Sequence, residues 1–270
     1  MMAALDLALT WRLKDRPDDL GVTTTWWSHA PDLAGATGRG VRVCVLDSGI
    51  EPGHPSVGPI QGSYAVEIEN GEPIVRETQA KDVCGHGTAC AGIIRKIAPE
   101  CELYSVRVLG PGFAGRGNVF VEGLRWAVEQ GFDVINLSLS TTRKQLADEL
   151  RAVSDDAFFR RSVIVASAHN LPVESYPWRF SSVISVGSHA EEDPALLIYN
   201  PRPPVEFFAH GSDVEVAWPG GGRRRCTGNS FATPHVTGLC ALVLSGCPRL
   251  TTFQVKNALY MYARNVRREP

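Results

Sequence analysis

An aspartate, a histidine and a serine stand in three short glycine-bearing stretches of this chain, and their chemistries interlock. Val43-Cys44-Val45-Leu46-Asp47-Ser48-Gly49 is an apolar run ending on a carboxylate, which predicts a buried strand with Asp47 at its end. Gly85-His86-Gly87-Thr88 leads into Ala89-Cys90-Ala91-Gly92-Ile93-Ile94, which predicts a histidine at the start of a small-residue helix. Gly228-Asn229-Ser230-Phe231-Ala232-Thr233-Pro234 places a serine at the mouth of another helix. A serine hydroxyl is a poor nucleophile at neutral pH. It needs an imidazole as base, and the imidazole needs a buried carboxylate to fix its tautomer and stabilise its charged form. Asp47, His86 and Ser230 are the residues that would fill those roles.

Either D-S-G or G-H-G-T alone occurs by chance. Together, in the order Asp, His, Ser, the three motifs resemble the subtilisin-like serine proteases, or subtilases, whose chain order this is. The resemblance runs from about Gly40 to about Ala263, and Leu103–Gly110, Asp133–Leu139 and Val163–Asn170 carry it outside the triad. It implies a serine endopeptidase working through an acyl-enzyme. Asn170 then matches the family's oxyanion donor beside the N–H of Ser230, and Asn229, standing where the family often has threonine, adds a further amide. The substrate backbone would lie between Gly115-Arg116-Gly117 and Ser138-Leu139-Ser140, with Ala168 and His169 beside the pocket.

This chain departs from the family pattern in several places. Ser140-Thr141 replaces a usual Gly-Gly, and His169 replaces a glycine before the asparagine. Both add bulk beside the scissile bond and imply a restricted substrate; the alternative is that His169 merely points to solvent. Cys90 follows His86 by one helical turn, where some subtilases carry a free cysteine beneath the histidine. The Cys84-x-His86-x3-Cys90 spacing also suits metal ligands, but a metal on His86 would remove the base, so no metal is expected there. Cys90–Glu102 lacks the polar insertion that forms the family's strong calcium site. No cofactor is expected, with a weaker calcium site left open. Only 46 residues precede Asp47, too few for the family's pro-domain.

Elements must bring these residues together. Val41–Leu46, Glu102–Val108, Asp133–Leu137, Ser162–Ala166 and Val183–Val186 read as buried strands. Gly87–Lys96, Asn118–Gln130, Lys144–Ser154, Ser230–Leu244 and Thr251–Ala263 read as helices. This alternation predicts an α/β fold, a mostly parallel central β-sheet with helices on both faces and sites at the carboxyl ends of strands. The 270 residues fit one domain, 1–270, with 1–40 as an N-terminal extension packed on the core through Trp11, Trp26 and Trp27.

Composition narrows the partners. With 27 basic and 29 acidic residues the net charge is −2, which argues against nucleic acid. No stretch approaches the ~20 apolar residues that span a membrane. The N-terminus lacks the basic segment of a secretory signal, and the odd count of seven cysteines suits free thiols in a reducing cytosol. A cytoplasmic peptidase acting on a particular peptide or protein is the expectation, with peptide maturation as its role and transpeptidation or macrocyclisation as chemical relatives. A non-hydrolytic binding module with this fold is the rival, and the intact triad counts against it. Arg223-Arg224-Arg225 reads first as a solvated loop and second, with Arg116, as a recognition site for an acidic substrate.

Overall fold

The computed structural model of the chain describes residues 22–24, 33–113, 115–191, 193 and 195–268. The expected packing of Trp11, Trp26 and Trp27 lies outside those residues. In chain order the elements are β1 (Val22–Thr24), β2 (Arg42–Asp47), β3 (Gly62–Glu69), β4 (Glu72–Glu77), α1 (His86–Ile97), β5 (Glu102–Arg107), α2 (Gly117–Glu129) and β6 (Val134–Leu137). Next come α3 (Ala147–Phe159), β7 (Val163–Ser167), β8 (Ile184–His189), β9 (Ile198–Tyr199) and β10 (Phe207–His210). The chain ends with β11 (Val214–Trp218), β12 (Gly222–Cys226), α4 (Asn229–Gly246), α5 (Thr252–Tyr262) and β13 (Val266–Arg268).

Nine strands form the central sheet in the order β4-β3-β5-β2-β6-β7-β8-β10-β9. Pairing is parallel from β3 through β10 and antiparallel only at the two edges, β3 with β4 and β10 with β9. The fold is therefore α/β, as expected. Successive side chains of a strand face opposite ways, and here both faces are buried. Val43 and Val45 of β2 join a core made with Ile94 of α1, Val236 of α4 and Leu259 of α5. Cys44 and Leu46 of the same strand join Leu124 of α2 and Leu150 of α3 on the other side. Burying each such Val or Leu side chain contributes about 1.5–3 kcal/mol, so the inner strands are held from both faces of the sheet.

Two local expectations change. The helix expected at Lys144–Ser154 begins as a 3-10 turn, Lys144–Leu146, and α3 proper runs on to Phe159. Arg223-Arg224-Arg225 is not a loop: it forms most of β12, paired antiparallel with β11.

After β2 the chain turns to one side of the sheet, through β3 and β5, and β6, β7 and β8 build the other side. The carboxyl end of β2 is thus a topological switch point, where α/β sheets open a crevice. Asp47 is its last residue.

Candidate active site

Asp47 is fully buried. Both of its carboxylate oxygens lie 2.9 Å from Nδ1 of His86, the first residue of α1. A carboxylate can only accept, so this contact holds the proton on Nδ1 and leaves Nε2 as the ring's acceptor. The backbone N–H of Ser48 donates to Asp47 Oδ1 at 2.7 Å and keeps that oxygen in place. Burial alone would push the imidazolium pKa down, but the Asp47 charge outweighs it and holds His86 well above the ordinary histidine value. Phe231 packs on the imidazole with ring centroids 5.3 Å apart.

The glycines around these residues permit the approach. A Cβ on Gly87 would lie 2.0 Å from the carbonyl oxygen of Gly49, so a side chain there would force α1 away from β2. Gly49 itself sits at φ +103°, and its Cβ would meet the Lys81 carbonyl at 1.9 Å. Asp82, which the motif reading passed over, locks the junction. Its Oδ1 accepts from Ser48 Oγ and from the N–H groups of Cys84 and Gly85. Its Oδ2 accepts from the N–H and hydroxyl of Thr88. An acidic residue just ahead of a helix start was the available signal, because it satisfies orphan N–H groups of the first turn.

Ser230 lies in the first turn of α4, half-buried and facing the same cleft as His86. Its position depends on a proline. Pro234 has no N–H, so the carbonyl of Ser230, four residues earlier, loses its helical donor. The vacancy is filled from outside the helix: Ser138 Oγ donates to Ser230 O at 2.8 Å, and the Cys90 thiol approaches it at 3.7 Å. Asn136 Nδ2 donates to Ser138 Oγ, and Thr237 donates to Asn136 Oδ1, which ties the end of β6 to α4. The side chain of Ser138 therefore braces the nucleophile's backbone, although Ser138 was expected to serve the substrate.

Asn170 follows β7. Its Oδ1 accepts the N–H of Asn229 at 2.9 Å, which assigns the amide orientation and leaves Nδ2 as the donor side. A Cβ placed on Gly228 would be 3.4 Å from both Ser230 Oγ and Asn170 Nδ2, so the hydroxyl and the amide border one small space. The N–H of Ser230, in the first turn of α4, has no intrahelical acceptor and is the natural second donor.

Asn229 corrects an expectation. Its side chain is 1% exposed, accepts from Ser188 N–H and donates to the carbonyls of Ala168 and His169. It holds α4 against the ends of β7 and β8 and does not face the substrate.

A cleft of about 520 Å³ connects these groups and is lined by Gly115, Arg116, Gly117, Ser138, Leu139, Ser140, Ala168, His169 and Asn170 as well as His86 and Ser230. The expected extended strip at Gly115–Gly117 is shorter than predicted. Arg116 is extended, but Gly117 already opens α2, and its missing side chain makes room for Leu146, which a Cβ would meet at 2.2 Å. Ser138–Ser140 follows directly on β6, and Ser140 Oγ accepts from Ser175 Oγ. His169 is tethered by its Nδ1, which accepts the N–H of Leu171.

Asp47, His86 and Cys90 bring possible ligand atoms within 4.8 Å of one another, whereas Cys84 is half-buried and outside that group. Their chemistry disfavours an ion. The Nδ1 proton is shared with both Asp47 oxygens, and burial raises the Cys90 thiol pKa despite His86, so the sulfur stays protonated. Cys90 Sγ lies 4.0 Å from both His86 Nδ1 and Asp47 Oδ2. Mercuric ion should therefore inactivate the protein slowly by displacing His86, and Cys90→Ala should keep most of its activity and lose that sensitivity. Equal inactivation of both proteins would shift the sensitivity to another thiol, such as the half-buried Cys226 on β12.

Comparison with known proteins gives consistent likenesses. A profile of the Subtilase family matches residues 38–269. Subtilisin E of Bacillus subtilis (strain 168) is 32% identical over 240 residues, which cover 83% of this chain and 61% of that protein. Subtilisin Savinase of Lederbergia lenta is 33% identical over 236 residues, with 83% of this chain and 84% of that protein covered. Among solved structures, a cold adapted subtilisin-like serine proteinase superposes with a TM-score of 0.65 at 25% identity, over 82% of this chain and 81% of that one.

Proposed function

This chain belongs to the subtilase family, and on that premise we propose that it is a serine-type endopeptidase working through an acyl-enzyme. One observation carries the reading: a buried Asp47–His86 couple shares a cleft with Ser230 and with an Asn170 amide whose donor side is fixed. Ser230 Oγ attacks the peptide carbonyl carbon while His86 Nε2 takes its proton. The resulting oxyanion is held by Asn170 Nδ2 and the N–H of Ser230. The C–N bond then breaks as His86 returns the proton to the leaving amine, and water releases the acyl group by the same steps in reverse.

The finer reading is processing of a restricted peptide or protein, such as leader removal, in a reducing compartment. Ser140 and His169 support the restriction, because both line the cleft where smaller residues would open it. Cys44, Cys90, Cys101 and Cys240, all buried as free thiols, support the compartment. Catalysis in this reading calls for no cofactor, and the reaction partner is a peptide chain and not nucleic acid or membrane.

A fluorophosphonate probe tests the chemistry. It should label Ser230 in the folded protein and fail after denaturation; no labelling of the folded protein would reject an activated serine. A peptide library then tests the restriction, since cleavage at many unrelated bonds would reject it. Asn170→Ala should lower kcat by about 10²–10³-fold with KM little changed, the scale established for the matching asparagine of subtilisin. A KM effect with unchanged kcat would remove Asn170 from the oxyanion site.

A further inference from the structure

We propose that Arg143, with Arg116 opposite it, selects substrates that carry an acidic side chain several residues from the cleaved bond. This inference rests on the peptidase reading above. Arg116 and Arg143 line the cleft that holds Ser230, and among the described residues no aspartate or glutamate lines it with them. Most exposed guanidinium groups with a carboxylate nearby are paired: Arg125 with Glu122, Arg160 with Asp156, Arg223 with Glu215 and Arg225 with Asp213. None of Arg223–Arg225 lines this cleft: two are paired as above and Arg224 lies over the Trp218 ring. Arg116 and Arg143 have no such ion pair among the described residues.

Two carboxylates of the neighbouring elements have other cations beside them. Glu174 lies 3.7 Å from both Lys144 and Arg179, and Glu149 lies 3.9 Å from Arg125. Two observations locate Arg143 on the cleft rim. Its N–H donates to Thr141 Oγ1, and its Nη1 lies 3.4 Å from where a Gly117 Cβ would stand, on the rim formed by the start of α2. The planar fork of a guanidinium matches a carboxylate with two parallel hydrogen bonds, and among the described residues no carboxylate takes up either fork.

Position follows from the chain. Ser138 touches the Ser230 carbonyl, and Arg143 lies five residues further along. Ser140, between them, also lines the cleft, so the guanidinium is set in this proposal beyond the side chain beside the scissile bond. The selected side chain is therefore not the one beside the scissile bond.

The test is a set of matched peptides in which Glu or Gln occupies each position in turn on both sides of the cleaved bond. In the wild-type protein, kcat/KM for Glu over Gln should peak at one remote position at about fivefold, the scale of an exposed ion pair, and shrink in high salt. Arg143→Glu should turn the preference at that position toward Lys. Arg223→Gln, outside the cleft, should leave the ratio as it is. A Glu/Gln ratio of one at every position, with the Gln peptides still cleaved and Ser230 still labelled, overturns this inference and leaves the peptidase reading standing. So does a Glu preference that survives Arg143→Glu. Failure to cleave any peptide, together with no labelling, overturns the peptidase reading and this inference with it.

Discussion

Ser230→Ala should lower kcat by about 10⁶-fold while the protein stays folded, the scale known for triad serines of subtilisins. The fold has little reason to object. Residue 230 is half-buried in the first turn of α4, alanine is a good helix former, and the contacts made there by Ser138 and Cys90 go to the carbonyl and not to the hydroxyl. The chemistry loses its nucleophile outright. A water molecule in its place would have to be oriented and deprotonated by an imidazole positioned for Oγ. Residual turnover should remain above the uncatalysed rate, since Asn170 and the residue-230 N–H still stabilise an oxyanion. The measurement is single-turnover hydrolysis of a chromogenic peptide, with circular dichroism to confirm folding and a fluorophosphonate probe to confirm loss of labelling. Activity within tenfold of wild type would mean that another group attacks, and the triad would have to be abandoned.

How far the sequence foretold this site depends on where each contact comes from. Asp47, His86 and Ser230 were legible because close packing forces glycines around them, and Gly49 and Gly87 leave a pattern that can be read without the fold. The inner strands were legible because burial on both faces demands continuous Val and Ile. The hairpin β3–β4 was not recognised, since Gly62–Glu69 buries few residues and ends in charge, although its Asn70-Gly71 turn, with both φ positive, was a usable signal. Strand β12 was read as a loop because its arginines face water and pair with residues on β11.

The supporting contacts were harder to read, because their partners are remote in sequence. Ser138 reaches Ser230 across 92 residues and Asn229 reaches Ser188 across 41. Pro234 marked a freed carbonyl at Ser230, but nothing in the sequence named Ser138 and Cys90 as its donors. Likewise the cleft's positive charge was sought in Arg223–Arg225, whereas the arginines that line it are Arg116 and Arg143.

Asp47→Asn should cost about 10⁴-fold in kcat/KM and leave the geometry of the site nearly intact. The wild-type carboxylate presents two acceptors to His86 Nδ1, each at 2.9 Å. With Ser48 N–H still donating to Oδ1, an asparagine keeps its oxygen on that side and puts its NH₂ where Oδ2 was. Nδ1 then faces a donor as well as an acceptor, and the tautomer with the proton on Nε2, facing Ser230, is no longer suppressed. The negative charge that offsets burial of the imidazolium is lost at the same time. The direction with pH follows from that loss. Asp47 raises the His86 pKa, and the base works only when neutral, so the acid limb of wild-type kcat/KM should lie above the ordinary histidine value of about 6.5. Removing the charge lowers the pKa, so the limb should move to lower pH even as the plateau falls. Measuring kcat/KM from acid to mildly alkaline pH for both proteins checks the drop and the shift together. A loss below tenfold, or a limb that moves to higher pH, would reduce Asp47 to a packing residue.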